Sequence, residues 1–367
     1  MTNDGKVRIG VIGAGSWAIS NHIPILAARE DVELVSAVRK GREALEAIQE
    51  TFGFDHISED YRDALAQDLD AVVVASPSSM HHEHAKAALE AGLNVLCEKP
   101  FTTDPADAWD LHRTAEATGR HLLISFGWNY GHLGMEAKRI VDERGGVGEV
   151  EHMMVSMASG TRELLRSTDG GGYEGSAEGF APEAETWTDP AMSGGGYAPA
   201  QLSHAMGLAM WLTGDRASEV FAFMNNVDAK VDMHDAISLR FSSGATGSLS
   251  GASCPGPANA IDAPDEPWPR HQLLIRIYGS EGQLILDLER DFLWHYRMDG
   301  VDEKVDLPPG AGLYLCDGPP NTLVDLTLGR DVPNLSPADL GARTVEVVAG
   351  AEESARTGAV VTVASGA

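Results

Sequence analysis

Val7-Arg8-Ile9-Gly10-Val11-Ile12-Gly13-Ala14-Gly15-Ser16-Trp17-Ala18 is the stretch that decides the fold of this chain. A short apolar strand runs into G-x-G-x-x-A, and a helical pattern continues to Arg29. In that order each small residue has a mechanical reading. Gly13 permits a tight strand-to-helix turn, Gly15 lets a diphosphate approach bare backbone, and Ala18 keeps the helix close to the sheet. The free N–H groups of the helix start, around Ser16 and Trp17, attract phosphate oxygens. A glycine-rich turn by itself need hold no ligand. Placed after a first strand inside a βαβ unit, it reads as a dinucleotide site.

The pattern around it agrees. Further strands are expected at 33–38, 71–75, 94–97 and 121–126, with helices at 42–52, 83–91 and from Pro105 to near Gly119. The run at 71–75 is apolar throughout, as in a parallel strand covered on both faces. Strand and helix alternate, which argues for a doubly wound α/β domain over residues 1–126. Beyond it the rhythm changes. After a helix at 133–143, strand-like stretches fall at 149–158, 219–227, 236–241, 246–252, 273–278, 283–288 and 292–297. Glycine-containing turns at 242–244 and 279–282 join some of them as hairpins. A second α/β domain over 127–367, built on an open, mainly antiparallel sheet and closed by a helix at 337–357, is the expectation. The stretch 159–196 is rich in Gly, Ser, Asp and Glu and too long for a plain connection. It reads as a segment covering substrate, or as disorder.

Composition narrows the class of function. The 367 residues suffice for two domains with ample cores, and 43% hydrophobic with 22% charged residues is ordinary for a soluble protein. With 27 Lys+Arg against 55 Asp+Glu the formal charge is -28, which disfavours nucleic acid and anionic membrane and suggests a cytoplasmic protein. Cys97, Cys254 and Cys316 are odd in number and widely spaced, so neither a disulfide framework nor a zinc site is indicated. The polar start carries no signal-peptide apolar core, and no apolar run is long enough to span a bilayer.

Two local features bear on chemistry. Dinucleotide sites usually place an acid after the second strand to hold the ribose hydroxyls. Here the strand ends in Arg39, Lys40, Gly41 and Arg42. Cations suit a 2′-phosphate, so NADP is the expected cofactor, with NAD as the alternative if the basic turn is merely solvated. Then Glu98-Lys99-Pro100 follows a strand at 94–97, which puts an ammonium at the carboxyl edge of the sheet, where ligands sit.

Taken in order, these residues resemble the glucose–fructose oxidoreductase / inositol dehydrogenase / rhizopine catabolism (Gfo/Idh/MocA) family over essentially the whole chain. The matching residues are Gly13 and Gly15, His22 with Pro24, Ser76-Pro77 with His81, and Glu98-Lys99-Pro100. They continue with Gly194-Gly195-Gly196 followed by His204, and with Ile277-Tyr278-Gly279 and Gly282. The resemblance implies hydride transfer at a carbinol of a sugar, sugar derivative or inositol, with Ser76, Pro77, His81 and Glu98 on the cofactor side. It also implies a homo-oligomer, dimer or tetramer, formed through the open sheet.

It further implies that Lys99 and His204 are catalytic: the lysine donates to the developing alkoxide and the imidazole relays a proton. The family usually adds an aspartate four residues before the histidine. This chain has Ala200 there, with Gln201 as the nearest polar group, so a Lys99–His204 pair replaces a triad. Trp128 and Asn129 follow the sixth strand at the ligand edge; Trp128 suits stacking on a pyranose or packing between domains. Arg162 suits a polar substituent or solvent. His81-His82-Glu83-His84 has metal-like spacing, but it opens a helix of the nucleotide domain and no metal is expected. A non-catalytic dinucleotide-binding sensor on the same scaffold is the alternative that the missing aspartate keeps open.

Overall fold

The computed structural model describes residues 5–143, 146–166, 183–255 and 271–363. Six parallel strands form the first sheet: β1 (Val7–Ile12), β2 (Val32–Val38), β3 (His56–Ser58), β4 (Ala71–Val74), β5 (Asn94–Cys97) and β6 (Leu122–Ile124). Their order, β3-β2-β1-β4-β5-β6, reverses between β1 and β4, and the carboxyl ends of those two strands flank the fingerprint turn. β4 is buried along its length, as its unbroken apolar run requires.

The second sheet has nine strands. β7 (Val150–Ser159), β8 (Ala217–Asn225), β9 (His234–Phe241), β10 (Thr246–Ser253), β11 (Gln272–Gly279), β12 (Gly282–Asp287) and β13 (Phe292–Arg297) stand close to the expected positions. The short β14 (Glu303–Lys304) and β15 (Val361–Thr362) complete the edges, in the order β14-β13-β12-β11-β7-β10-β9-β8-β15. All neighbours are antiparallel except β7 and β10, which run parallel. That pair makes the sheet mixed, and no hairpin could have joined it.

One face of this sheet packs on helices, including Ser203–Thr213 and Ala338–Thr357. From Ser203 to Met210 every residue of the first of these is buried, as expected of a helix apolar all round. The last helix also reaches the first domain, where Trp109 Nε1 donates to Glu346 Oε1 at 2.7 Å.

A helix at Gly318–Thr327, absent from the sequence expectation, crosses back to the parallel sheet. Its Leu323 and Val324 are fully buried in the same core as Val11, Val73 and Leu96. Arg29 holds it with a hydrogen bond to Asn321 Oδ1 at 3.1 Å and an ion pair to Asp325 at 2.7 Å. Of the stretch 159–196, residues 167–182 lie outside the described part. Among the described residues no helix is long and apolar enough to cross a membrane.

Candidate active site

The fingerprint turn forms because two backbones nearly touch. Gly13 has φ +90°, and a Cβ there would sit 2.2 Å from Ser76 N at the end of β4. Only glycine fits. A Cβ on Gly15 would instead meet nothing closer than Gly13 O at 3.9 Å, so open space lies over the turn. The helix Ser16–Ser20 then starts with Gly15 as its cap residue and no side-chain cap, leaving bare backbone at the turn. Arg39 reaches back to this turn, with Nη1 donating to Ala14 O at 3.3 Å. Burial draws the Arg39 pKa down, and Glu183 opposes the shift. These features fit a dinucleotide, which Gly13, Gly15, Ser16 and Arg39 could hold. Lys40 and Arg42 are exposed, and Arg42 pairs with Glu46 at 2.8 Å. Glu59 accepts from Gly41 N at 2.8 Å, so an acid stands beside the basic turn after all, donated by the end of β3.

Glu98 gathers residues far apart in sequence. Its Oε1 accepts from Trp17 Nε1 at 2.8 Å and from His22 Nε2 at 2.6 Å, while Oε2 accepts from Lys99 N at 3.0 Å. Burial alone would push this carboxyl up. The bond and charge of His22, then the charge of Lys99 and a bond from Ser125, bring it down to about 2. The His-x-Pro motif and Trp17 therefore serve one buried anion. His81 ties the neighbouring loops, with Nε2 at 2.7 Å from Ser76 O and Nδ1 at 3.0 Å from Pro100 O. Pro77 opens the short turn before it. His82 and His84 turn elsewhere, to Asp110 and to Ser76 Oγ. Among the described residues no group of His, Cys, Asp or Glu could hold a metal.

Lys99 leaves this anion and crosses to the second domain. Its Nζ donates to Ala200 O at 2.9 Å and lies 6.0 Å from the Trp17 ring centre. Burial lowers its pKa, and Glu98 and Cys316 oppose the shift. The segment Ala198–Leu202 is π-helical rather than a regular α-turn, and it leads directly into Ser203–Thr213. Such widened turns recur at functional sites. His204 is the second residue of that α-helix. Burial holds its pKa well below 6.5, helped by the charges of Lys99 and His271, so it is neutral at pH 7. Its Nδ1 is buried with no hydrogen-bond partner, as is Gln201 Oε1.

Aromatic edges box in His204. Tyr314 stands at 4.8 Å, Trp128 at 5.7 Å and Phe126 at 6.4 Å, each near perpendicular. Trp128 is itself buried and donates its indole N–H to Gly312 O at 3.2 Å. Tyr314, which sequence reading missed, donates to Ser125 O at 2.9 Å. No local motif marks it; only the fold brings it here. Asn129 is fully buried and donates to Leu335 O at 2.8 Å. Arg162 is half-buried at the start of a short helix whose first amide bonds Cys254 O. Lys99, Glu98, Trp17 and His22 thus form one group, and His204 with Trp128 a second beside it. Arg162 stands apart from both, on the strand-end segment where its amide meets Cys254 O.

Comparison with known proteins follows the same division. Residues 7–126 match the model of the oxidoreductase family with NAD-binding Rossmann fold, and 135–285 match the GFO/IDH/MocA C-terminal domain. D-Glucoside 3-dehydrogenase of Escherichia coli K12 is 36% identical over 121 residues, 33% of this chain and 34% of that protein. Inositol 2-dehydrogenase of Rhodococcus erythropolis is 30% identical over 145 residues, 39% of this chain and 42% of that one. The chain thus matches less than half the length of these curated relatives. Levoglucosan dehydrogenase, solved with NADH and levoglucosan, superposes with a TM-score of 0.77 at 19% identity, covering 98% of this chain and 99% of that one. At that identity the likeness concerns the fold.

Proposed function

The chain belongs to the Gfo/Idh/MocA family of sugar and polyol oxidoreductases with an NAD-binding Rossmann fold, and on that premise we propose that it oxidises or reduces a secondary alcohol centre of a sugar, glycoside or cyclitol. The observation that carries this reading is the meeting of Lys99 with the His204 segment across the domain boundary. A nicotinamide dinucleotide supplies the acceptor or donor of the hydride when bound.

The chain's own residues do the rest. Lys99, anchored between Glu98 and the Ala200 carbonyl, turns N–H donors to an alcohol oxygen and stabilises it as the proton leaves. His204, neutral at pH 7, accepts that proton. The unpartnered His204 Nδ1 and Gln201 Oε1 call for hydroxyl partners, which a polyol provides. Trp128 backs the His204 ring, and Asn129 holds the adjoining turn to Leu335. Arg39 beside the fingerprint turn favours NADP over NAD. The partner is a small carbohydrate, and the protein acts as a homo-oligomer in the cytoplasm.

The test replaces Lys99 with Ala and screens sugars and inositols by nicotinamide absorbance. Nucleotide binding should persist while turnover falls by roughly 100-fold or more. With wild-type enzyme, alcohol oxidation should hold its rate through pH 6.5 and weaken only at clearly more acid pH, because burial keeps His204 from taking a proton until well below its ordinary range. Undiminished turnover in the variant would refute the assignment. Absence of turnover by the wild type on every substrate would favour the non-catalytic reading.

A further inference from the structure

Three consecutive amides leading into the π-helical turn, the last of them on its first residue, all donate to one residue. Gly196 N donates to Asp232 Oδ1 at 2.6 Å, Tyr197 N to Asp232 O at 2.9 Å, and Ala198 N to Asp232 Oδ2 at 2.7 Å. Asp232 is 7% exposed and lies in the loop between β8 and β9, far in sequence from the turn. The approach is so close that a Cβ on Gly196 would sit 2.1 Å from Asp232 O. Two residues beyond Ala198, the Ala200 carbonyl receives Lys99 Nζ.

We propose that Asp232 is a positioning residue: by holding the 196–198 amides it fixes the turn that presents the Ala200 carbonyl to Lys99 and sets the start of the His204 helix. The inference rests on the reading that Lys99 works at the reacting alcohol. Charge-assisted bonds from buried amides are short and strong, so two of them plus the main-chain bond determine where this turn lies.

Two further acids, Asp235 and Glu352, lie close enough to Asp232 to feel its charge. Asp235, 3% exposed on β9, finds no hydrogen-bond donor for either oxygen. Burial first, then the charge of Asp232 and a side-chain bond to it, then the charge of Glu352, raise it to about 9, so at neutral pH it carries a proton. Glu352 is itself raised to about 7 by burial and Asp232. The Tyr197 ring is fully buried, its hydroxyl accepting from Ser159 Oγ at 3.1 Å. A cavity of about 570 Å³ borders Asp232, Gly194, Gly195 and Glu352, but its walls include neither Lys99 nor His204, so Asp232 acts through the turn and not on substrate.

The experiment uses the full chain in three measurements. In the wild type, amide hydrogen exchange at 196–198 should be as slow as in the Ser203–Thr213 helix. Rapid exchange there would overturn the proposal without any variant. Asp232→Asn keeps the volume but sets an amide N–H₂ against a backbone N–H, and should speed exchange at 196–198. It should shift the pH midpoint for reductive methylation of Lys99 downward, because the ammonium loses its fixed acceptor. It should also lower kcat about 100-fold while the nucleotide dissociation constant stays unchanged. A variant that opens the 196–198 amides yet leaves the Lys99 midpoint and kcat as in the wild type would reduce Asp232 to a structural role and sink the idea. Asp235→Asn serves as the control: its target is already neutral, so kcat and Lys99 labelling should match the wild type. The labelling and exchange readouts need no turnover, so they fail separately from the Lys99→Ala test.

Discussion

Arg39 shows what a single residue can and cannot announce. Its type and place after β2 suggested a phosphate partner, and its guanidinium does return to the fingerprint turn. Its companions in sequence do not follow it, for Lys40 and Arg42 face solvent, and Glu59 arrives at the same turn from β3. Replacing Arg39 with Asp should therefore weaken NADP binding by roughly 1–3 kcal/mol, the worth of charge-assisted bonds, and shift preference toward NAD. Fluorescence titration with both nucleotides measures this, and an unmoved NADP affinity would remove the preference for that cofactor. Lys99 and His204 were readable as residues. Their surroundings were not, because the Ala200 carbonyl, the Tyr314 edge and the Glu98–His22–Trp17 knot are contacts between positions from 76 to 110 residues apart in the pairs Glu98–His22, Lys99–Ala200 and His204–Tyr314.

At the scale of elements, strands and helices with strong local signals stand where the pattern put them. Asp104 accepts from Ala106 N at 2.7 Å with Pro105 in the first turn, and Gly119 closes the helix in the left-handed conformation. The misses have physical causes. The π-turn at Ala198–Leu202 has no sequence mark, since an ordinary α-turn suits the same residues; Lys99 and Asp232 bind its backbone. The helix Gly318–Thr327 opens with Gly318-Pro319-Pro320, which reads as a loop until Leu323 and Val324 meet the parallel sheet. That helix completes the first domain from the far end of the chain. Leu323→Ala should cost about 2–5 kcal/mol of stability, the usual result of emptying a buried leucine site. Loss of less than about 1 kcal/mol in chemical unfolding would show the helix to be a dispensable cover.

For the molecule as a whole, the two sheets divide the labour. The parallel sheet offers a turn for a dinucleotide, and the mixed sheet carries the His204 helix on one face. Its other face presents Met154, Leu274, Trp294 and Phe221, with Phe223 70% exposed. Arg276 Nε and Trp294 Nε1 on that face are buried without a hydrogen-bond partner. A second copy covering this face should make the protein a dimer or tetramer, so light scattering should return at least twice the 39.0 kDa chain mass. A mass of one chain would exclude it. The alternation of strand and helix, the bare glycine turn and the presence of an amine and an imidazole are legible along the chain, because they follow from local periodicity and from residue chemistry. Which carbonyl holds the amine, which acid pins the turn, and which late helix covers the parallel sheet emerge from the folded chain alone. Those contacts join residues whose nearness is created by packing, and no local pattern encodes a distance across two domains.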